Sequence, residues 1–242
     1  MNVILLTSLT IITTLLGGFF AFYFRKYYHY LLGFTGGAVL SIVSFDILPE
    51  LFELRDTLSL STEIVMSTFV IGFLLFHIIE KYILIHHTHE EGYGQHRHPA
   101  LGMGSAAALI GHSFLDGVGI GFAFQISTTA GFAVLFAVLA HDFADGLNTV
   151  SLMLSHNNSR LKTLIFLGLD AIAPMLGAIT TLFITLKESY AVIFLGIFAG
   201  FLMYICASDI LPEAHSEKSK WSIVAMTIFG VIFMFLLLEL MH

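Results

Sequence analysis

The chain has 242 residues, of which 57% are hydrophobic and 11% charged, and its mean hydropathy is +0.90. Soluble domains carry about a quarter charged residues, so an ordinary globular protein is excluded, and the Phe, Leu and Ile content excludes disorder. A net charge of −7 with only 10 Lys and Arg residues argues against a nucleic-acid partner, and a single cysteine, Cys206, allows neither a disulfide framework nor a C-x-x-C metal pair.

What remains is an all-α membrane protein whose constant partner is the lipid bilayer. Apolar runs long enough to cross a hydrocarbon core predict eight transmembrane helices at residues 3–24, 31–51, 64–85, 100–124, 130–154, 161–186, 190–211 and 221–241. The first run has no basic residue ahead of Arg25 and no convincing cleavage site, so it reads as a span rather than a leader. Arg25, Lys26, Lys81, Arg97, Arg160, Lys162, Lys218 and Lys220 fall in joints on one side, against Arg55 and Lys187 on the other. The positive-inside rule makes the richer side cytoplasmic and places both termini outside. Without a targeting extension, the expected location is a plasma (inner) membrane.

Between the third and fourth spans lies the longest joint, residues 86–99, reading HHTHEEGYGQHRHP with five of the twelve histidines. Such a tract can bind borderline metal ions loosely, although a solvated loop is an equally good account.

Two internal symmetries follow. The second span contains GGAVLSIVSFDILPE (Gly36–Glu50) and the seventh AGFLMYICASDILPE (Ala199–Glu213), both finishing in D-I-L-P-E. In the predicted topology these two spans run in opposite directions, the mark of an inverted repeat in a transporter. The plainer account, proline acting twice as a helix stop, does not explain five identical residues in succession. The fourth and fifth spans carry His112-Ser113-Phe114-Leu115-Asp116-Gly117 and His141-Asp142-Phe143-Ala144-Asp145-Gly146, both H-x-F-x-D-G. The expected arrangement is 3+2+3: residues 1–85 hold the first repeat, 86–99 the His-rich cytoplasmic loop, 100–154 the central pair, and 155–242 the inverted repeat.

Histidine and aspartate four residues apart share a helix face, so His112 pairs with Asp116 and His141 with Asp145. All four fall near mid-membrane, Asp142 follows His141 in sequence, and Asp170 stands near the middle of the sixth span, four residues before Pro174. One aspartate at a bilayer centre costs roughly 2.5–3.5 kcal/mol, and no Lys or Arg lies mid-span to compensate. Protons or metal cations must therefore do so. Imidazole with carboxylate suits Zn²⁺, Fe²⁺ or another first-row divalent ion, whereas carboxylate alone suits Ca²⁺ or Mg²⁺ better. Four aspartates balance two divalent ions, which permits a binuclear site bridged by Asp116 and Asp145.

Other ionisable groups have simpler explanations. His77 and Glu80 can snorkel to water. Asp46, Glu50, Asp209 and Glu213 stand at span ends, as solvated interfacial acids or as cation attractors at entry and exit.

At these motifs the sequence resembles the ZIP family of divalent-metal transporters, whose fourth span is close to H-N-x-x-D/E-G and whose fifth is H/Q-D/E-x-x-E/H/D-G. The resemblance covers nearly the whole chain, from the eight spans to the His-rich loop and the P-E endings of spans two and seven. It implies that His112, Asp116, His141 and Asp145 hold one metal, and that Ser113, Asp116, Asp142, Asp145 and Asp170 hold a second. Ser113 stands where the family usually has Asn, and Asp116 and Asp145 stand where many relatives have Glu. The implied activity is uptake of Zn²⁺ or a similar divalent cation into the cytoplasm by alternating access, the metal being substrate and no catalytic cofactor being needed. Some members dimerise, so a homodimer is among the assemblies the resemblance allows. The competing reading is an intramembrane zinc-dependent hydrolase, against which stands the lack of an H-E-x-x-H motif or an evident nucleophile set. A metal sensor, or a structural protein with a fixed metal, is a third.

Overall fold

The computed structural model describes residues 3–23, 27–89, 99–216 and 220–240. Most of the His-rich joint, residues 90–98, lies outside the described residues, and so does the metal-binding expectation placed on it. Among the described residues every regular element is helical.

Eight helices among the described residues are long and apolar enough to cross a membrane: α1 (Val3–Tyr23), α2 (His29–Thr57), α3 (Thr62–Ile79), α4 (Gly102–Ile126), α5 (Thr128–Leu154), α6 (Arg160–Phe183), α7 (Tyr190–Ala214) and α8 (Trp221–Glu239). The chain is a multi-pass membrane protein. Its hydrophobic surface bears this out: Leu74, Leu75 and Ile78 on α3 and Ile228, Ile232 and Leu236 on α8 are exposed, as lipid-facing side chains must be. By contrast α2, α5 and α7 are mostly enclosed. Val39, Ile42 and Val43 of α2, Val134 and Val138 of α5, and Leu195 and Leu202 of α7 are wholly buried in one shared core.

Two spans depart from the expected ends. The second span was expected to end near residue 51 and the seventh near 211, yet α2 runs on to Thr57 and α7 to Ala214. Both contain a π-helical turn just before the proline, Val43–Ile47 in α2 and Cys206–Ile210 in α7. The Leu48 N–H donates to the Val43 carbonyl, and the Leu211 N–H to that of Cys206, each five residues back. This wider turn sets Pro49 and Pro212 at the start of a fresh α-helical segment, where a missing N–H costs little. The D-I-L-P-E sequences therefore mark bulges inside helices, not helix stops.

Two sets of helices pack most closely within themselves. α4 lies along α6 and α5, and α1 along α5; α2 lies along α8, and α3 along α7. Glycines permit backbone-to-backbone contact at four of these five seams. A Cβ on Gly17 would strike the Phe143 carbonyl oxygen, and one on Gly146 that of Thr14, where α1 meets α5. Where α6 meets α4, Gly177 stands against the Phe114 carbonyl and Gly117 against that of Pro174. At α2 and α8 the pairs are Gly37 with Thr227 and Gly230 with Phe34; at α7 and α3 they are Gly200 with Phe69 and Gly72 with Ile197. Small residues let bare backbones approach, which is how helices associate where lipid supplies no hydrophobic drive.

Two polar ties fix one end of this assembly. Ser127, the residue between α4 and α5, accepts a hydrogen bond from the Ala130 N–H at 2.9 Å and caps α5. Its hydroxyl in turn donates to Glu50 Oε1 of α2 at 2.5 Å. At the same end of α4, Gln125 Nε2 donates to the carbonyls of Thr181 and Ile184, and its Oε1 accepts from the Leu186 N–H. That side chain satisfies backbone groups left over where α6 ends.

Candidate metal centre

The i,i+4 spacing in α4 and α5 turns His112 and Asp116, and His141 and Asp145, to one face each, and the packing of the two helices brings those faces together. One donor atom from each of the four residues lies within 4.8 Å of every other. His112 Nε2 is 3.3 Å from Asp116 Oδ2 and 3.8 Å from Asp145 Oδ2. His141 Nε2 is 3.3 Å from Asp116 Oδ2 and 3.9 Å from Asp145 Oδ2. A tetrahedral zinc ion with bonds near 2.1 Å separates its donors by about 3.4 Å. The four measured separations, 3.3–3.9 Å, are close to that value, so the cluster has a size suited to such an ion.

The cluster is enclosed. His141 and Asp116 have no exposed surface, Asp145 is 5% exposed, and only His112 retains a modest opening, its side chain being 15% exposed. From α7, the Phe201 ring closes edge-on against His112 with centroids 4.9 Å apart. The middle of α4 falls between His112 and Asp116, and that of α5 at His141, so the donors sit at mid-helix, as expected from sequence.

Tautomer matters here. His141 Nδ1 lies 2.8 Å from the Ala137 carbonyl oxygen, which can only accept. The proton therefore sits on Nδ1, and in a neutral ring the Nε2 lone pair points at the two carboxylates. Lone pair against carboxylate oxygen is repulsive unless a proton or a cation lies between them. An imidazole anchored through its other nitrogen is also the usual arrangement of a metal ligand.

Of the remaining expected site residues, Asp142 is 1% exposed, and neither of its carboxylate oxygens has a hydrogen-bond partner. Asp116 Oδ1 and Asp145 Oδ2 are likewise buried without a partner. Burying an ionised carboxylate without a partner costs several kcal/mol, so positive charge is called for at this locus. Ser113 Oγ donates to Asp170 Oδ1 at 2.7 Å, joining α4 to α6. Ser113, Asp142 and Asp170 thus adjoin the four-residue cluster without being part of it.

Sequence reasoning did not find Thr149. Its hydroxyl donates to Asp170 Oδ2 at 2.9 Å, so both oxygens of that carboxylate are held. Helical spacing was the available signal, since Thr149 follows Asp145 by four residues and Asp142 by seven, on the same face. The acids expected at the mouths behave differently from one another. Asp46 is 5% exposed, whereas its counterpart Asp209 is exposed. Glu50 is engaged by Ser127, and the Glu213 carbonyl accepts from His29 Nδ1 at 3.1 Å. His77 Nδ1 meets the Tyr204 hydroxyl at 3.3 Å, a polar contact between α3 and α7 that snorkelling alone did not foresee.

Fold and centre together define a polytopic, all-helical membrane protein with a His/Asp cluster enclosed at mid-span. Residues 89–238 match the family model described as ZIP zinc transporter. The chain belongs to the ZIP zinc transporter family, a family of transporters and not of enzymes. Among its relatives are zinc transporter ZIP6 of Homo sapiens and of Pongo abelii, each 26% identical over 140 residues. The match takes in 55% of this chain and 18% and 19% of those two proteins. Zinc transporter zipt-7.2 of Caenorhabditis elegans is 25% identical over 123 residues, 49% of this chain and 27% of the relative. The matched region is thus a minor part of each relative's length.

Proposed function

We propose that this chain carries Zn²⁺, or a similar first-row divalent cation, across a plasma membrane into the cytoplasm. The ion is the cargo, held first by His112, Asp116, His141 and Asp145. The observation that carries this reading is the convergence of those four donors, 3.3–3.9 Å apart around an enclosed centre, in a chain where no Lys or Arg stands in the middle of any span. Two neutral imidazoles and two carboxylates carry a charge of about −2, which one divalent ion cancels.

A second position is formed by Asp142 and Asp170 with Ser113, sharing Asp116 and Asp145 as bridges. Supporting it are the unpartnered oxygens of Asp142 and the spare oxygen on Asp116. With four aspartates and two divalent ions the locus is again neutral.

Transport proceeds by alternating access between two sets of helices, α1, α4, α5 and α6 in one and α2, α3, α7 and α8 in the other, arranged as inverted repeats of three helices about the α4–α5 pair. The glycine seams support this. Phe114 and Gly117 hold the same places in H-x-F-x-D-G as Phe143 and Gly146, and they make matching contacts with α6 and α1. Phe34, Gly37 and Asp46 recur at identical spacing as Ile197, Gly200 and Asp209, again with matching contacts and a matching π-helical turn. The asymmetric distribution of Lys and Arg supports both termini facing outward, and the inward direction of movement rests on the family resemblance.

Radiolabelled zinc uptake into proteoliposomes tests the reading. Wild-type protein is expected to accumulate the label, and His112→Ala and Asp145→Ala to insert normally yet take up none. Label that binds without crossing would assign a fixed-metal or sensory role, and unchanged uptake in both variants would remove the cluster from the mechanism.

A further inference from the structure

Three helices meet at one carboxylate that the two-helix motif does not contain. Asp170, on α6, has no exposed surface, and its oxygens accept from Ser113 of α4 at 2.7 Å and Thr149 of α5 at 2.9 Å. It lies close enough to Asp116, Asp142 and Asp145 to interact with each electrostatically. Its own backbone gives it little support. Pro174, four residues on, has no N–H to offer the Asp170 carbonyl, so the helical hydrogen bond that would stiffen this turn is missing. The carboxylate must be held through its side chain.

The two hydroxyls are not equivalent. Ser113 has a single proton and two acceptors within reach, Asp170 Oδ1 at 2.7 Å and the Leu109 carbonyl at 3.1 Å. Thr149, fully buried, is directed to Asp170 Oδ2. Threonine is also stiff at χ1, so a buried one presents its hydroxyl in a fixed direction.

We propose that Thr149 is a positioning residue for cation binding: its hydroxyl fixes the Asp170 carboxylate against α5, leaving the remaining lone pairs of that carboxylate for the second cation. The inference rests on the transport reading above. A carboxylate oxygen offers about two acceptor directions. One on each oxygen is taken by a hydroxyl, and the others stay open. Hydrogen bonds of this kind orient ligating carboxylates, and their loss weakens metal binding by roughly 10–100-fold. Thr149 adds no charge and no ligand of its own.

The test uses the full chain, reconstituted, with zinc as the probe. Thr149→Val removes the donor at nearly constant volume, Thr149→Ser keeps it, and Thr149→Ala guards against a crowding artefact in the valine variant. Zinc bound at equilibrium and the zinc dependence of uptake are measured for each. The valine and alanine variants are expected to need about 10-fold more zinc for half-saturation, with a smaller change in maximal rate and fewer zinc ions bound. The serine variant is expected to stay within about threefold of wild type, the residual change reflecting one lost methyl. Wild-type half-saturation and stoichiometry in the valine and alanine variants would overturn the proposal. So would a serine variant as impaired as valine, which would assign a packing role. If wild-type vesicles take up no zinc, the transport reading falls separately, and the bound-zinc comparison still decides the role of Thr149.

Discussion

The Nδ1 of His141 donates to the carbonyl oxygen of Ala137 across 2.8 Å, one turn back on the same helix. This bond uses the ring nitrogen nearer the backbone and leaves Nε2 to face Asp116 Oδ2 at 3.3 Å. If Nε2 is a metal donor, a side chain that restores a donor near that point must do better than one that removes it. His141→Gln is expected to retain measurable zinc uptake, whereas His141→Ala falls by more than about 100-fold, beyond the range of lost supporting contacts. Initial rates in proteoliposomes separate the two; equal loss would show that the ring matters for packing and not for its nitrogen.

Asp142 is buried with both oxygens unpartnered, so it burdens the metal-free protein. Asp142→Asn removes the negative charge, the larger part of that burden, and leaves an uncharged amide in its place. In detergent with a chelator, the variant is expected to melt at or above the wild-type temperature. Addition of zinc should raise the wild-type Tm by several degrees, because a ligand bound to the folded state stabilises it by mass action, and should raise that of the variant less. A variant that melts well below wild type without metal would mean that Asp142 has a protein partner after all.

The bond between Ser127 and Glu50 gives a graded prediction, because Ser127 also caps α5. Ser127→Ala loses both the cap and the link to α2, and a cap alone contributes about 1 kcal/mol. Glu50→Gln keeps the cap and weakens the link, so it should destabilise less. A double-mutant cycle read by thermal unfolding should show that the two changes are not additive. Additivity would mean that the contact carries no energy.

Glycines at the helix seams differ in a way that substitution exposes. A methyl on Gly177 would strike the Phe114 backbone, whereas one on Gly168, on the same helix, meets nothing within 4 Å. Gly177→Ala is expected to force α6 from α4, displacing Phe114 and the neighbouring donors, with loss of uptake and a lowered Tm. Gly168→Ala should leave both nearly unchanged, helix propensity if anything favouring alanine by up to about 1 kcal/mol. Similar behaviour in the two variants would refute the close approach at that seam.

Much of this was legible from local pattern. Apolar runs gave the eight spans to within a few residues at most ends, and i,i+4 spacing put His112 with Asp116 and His141 with Asp145 on inward faces. What local pattern misses is the partner across a gap. Nothing near Glu50 in sequence names Ser127, and nothing near Asp170 names Thr149. The full extent of the second and seventh spans was missed for a related reason. Pro49 and Pro212 predict helix ends if the turn before them is α-helical, and that turn is π-helical in both cases. A bulge of one residue leaves no mark in hydrophobic periodicity over so short a stretch.

Cys206 is the chain's single thiol, buried and donating to the Gly36 carbonyl at 3.2 Å. Nature has thus provided a background in which spectroscopic probes need no prior cysteine removal. Labels attached at engineered surface sites on α2 and α5 would report inter-helix separation without a competing native signal, so that rearrangement during turnover becomes a directly measured length.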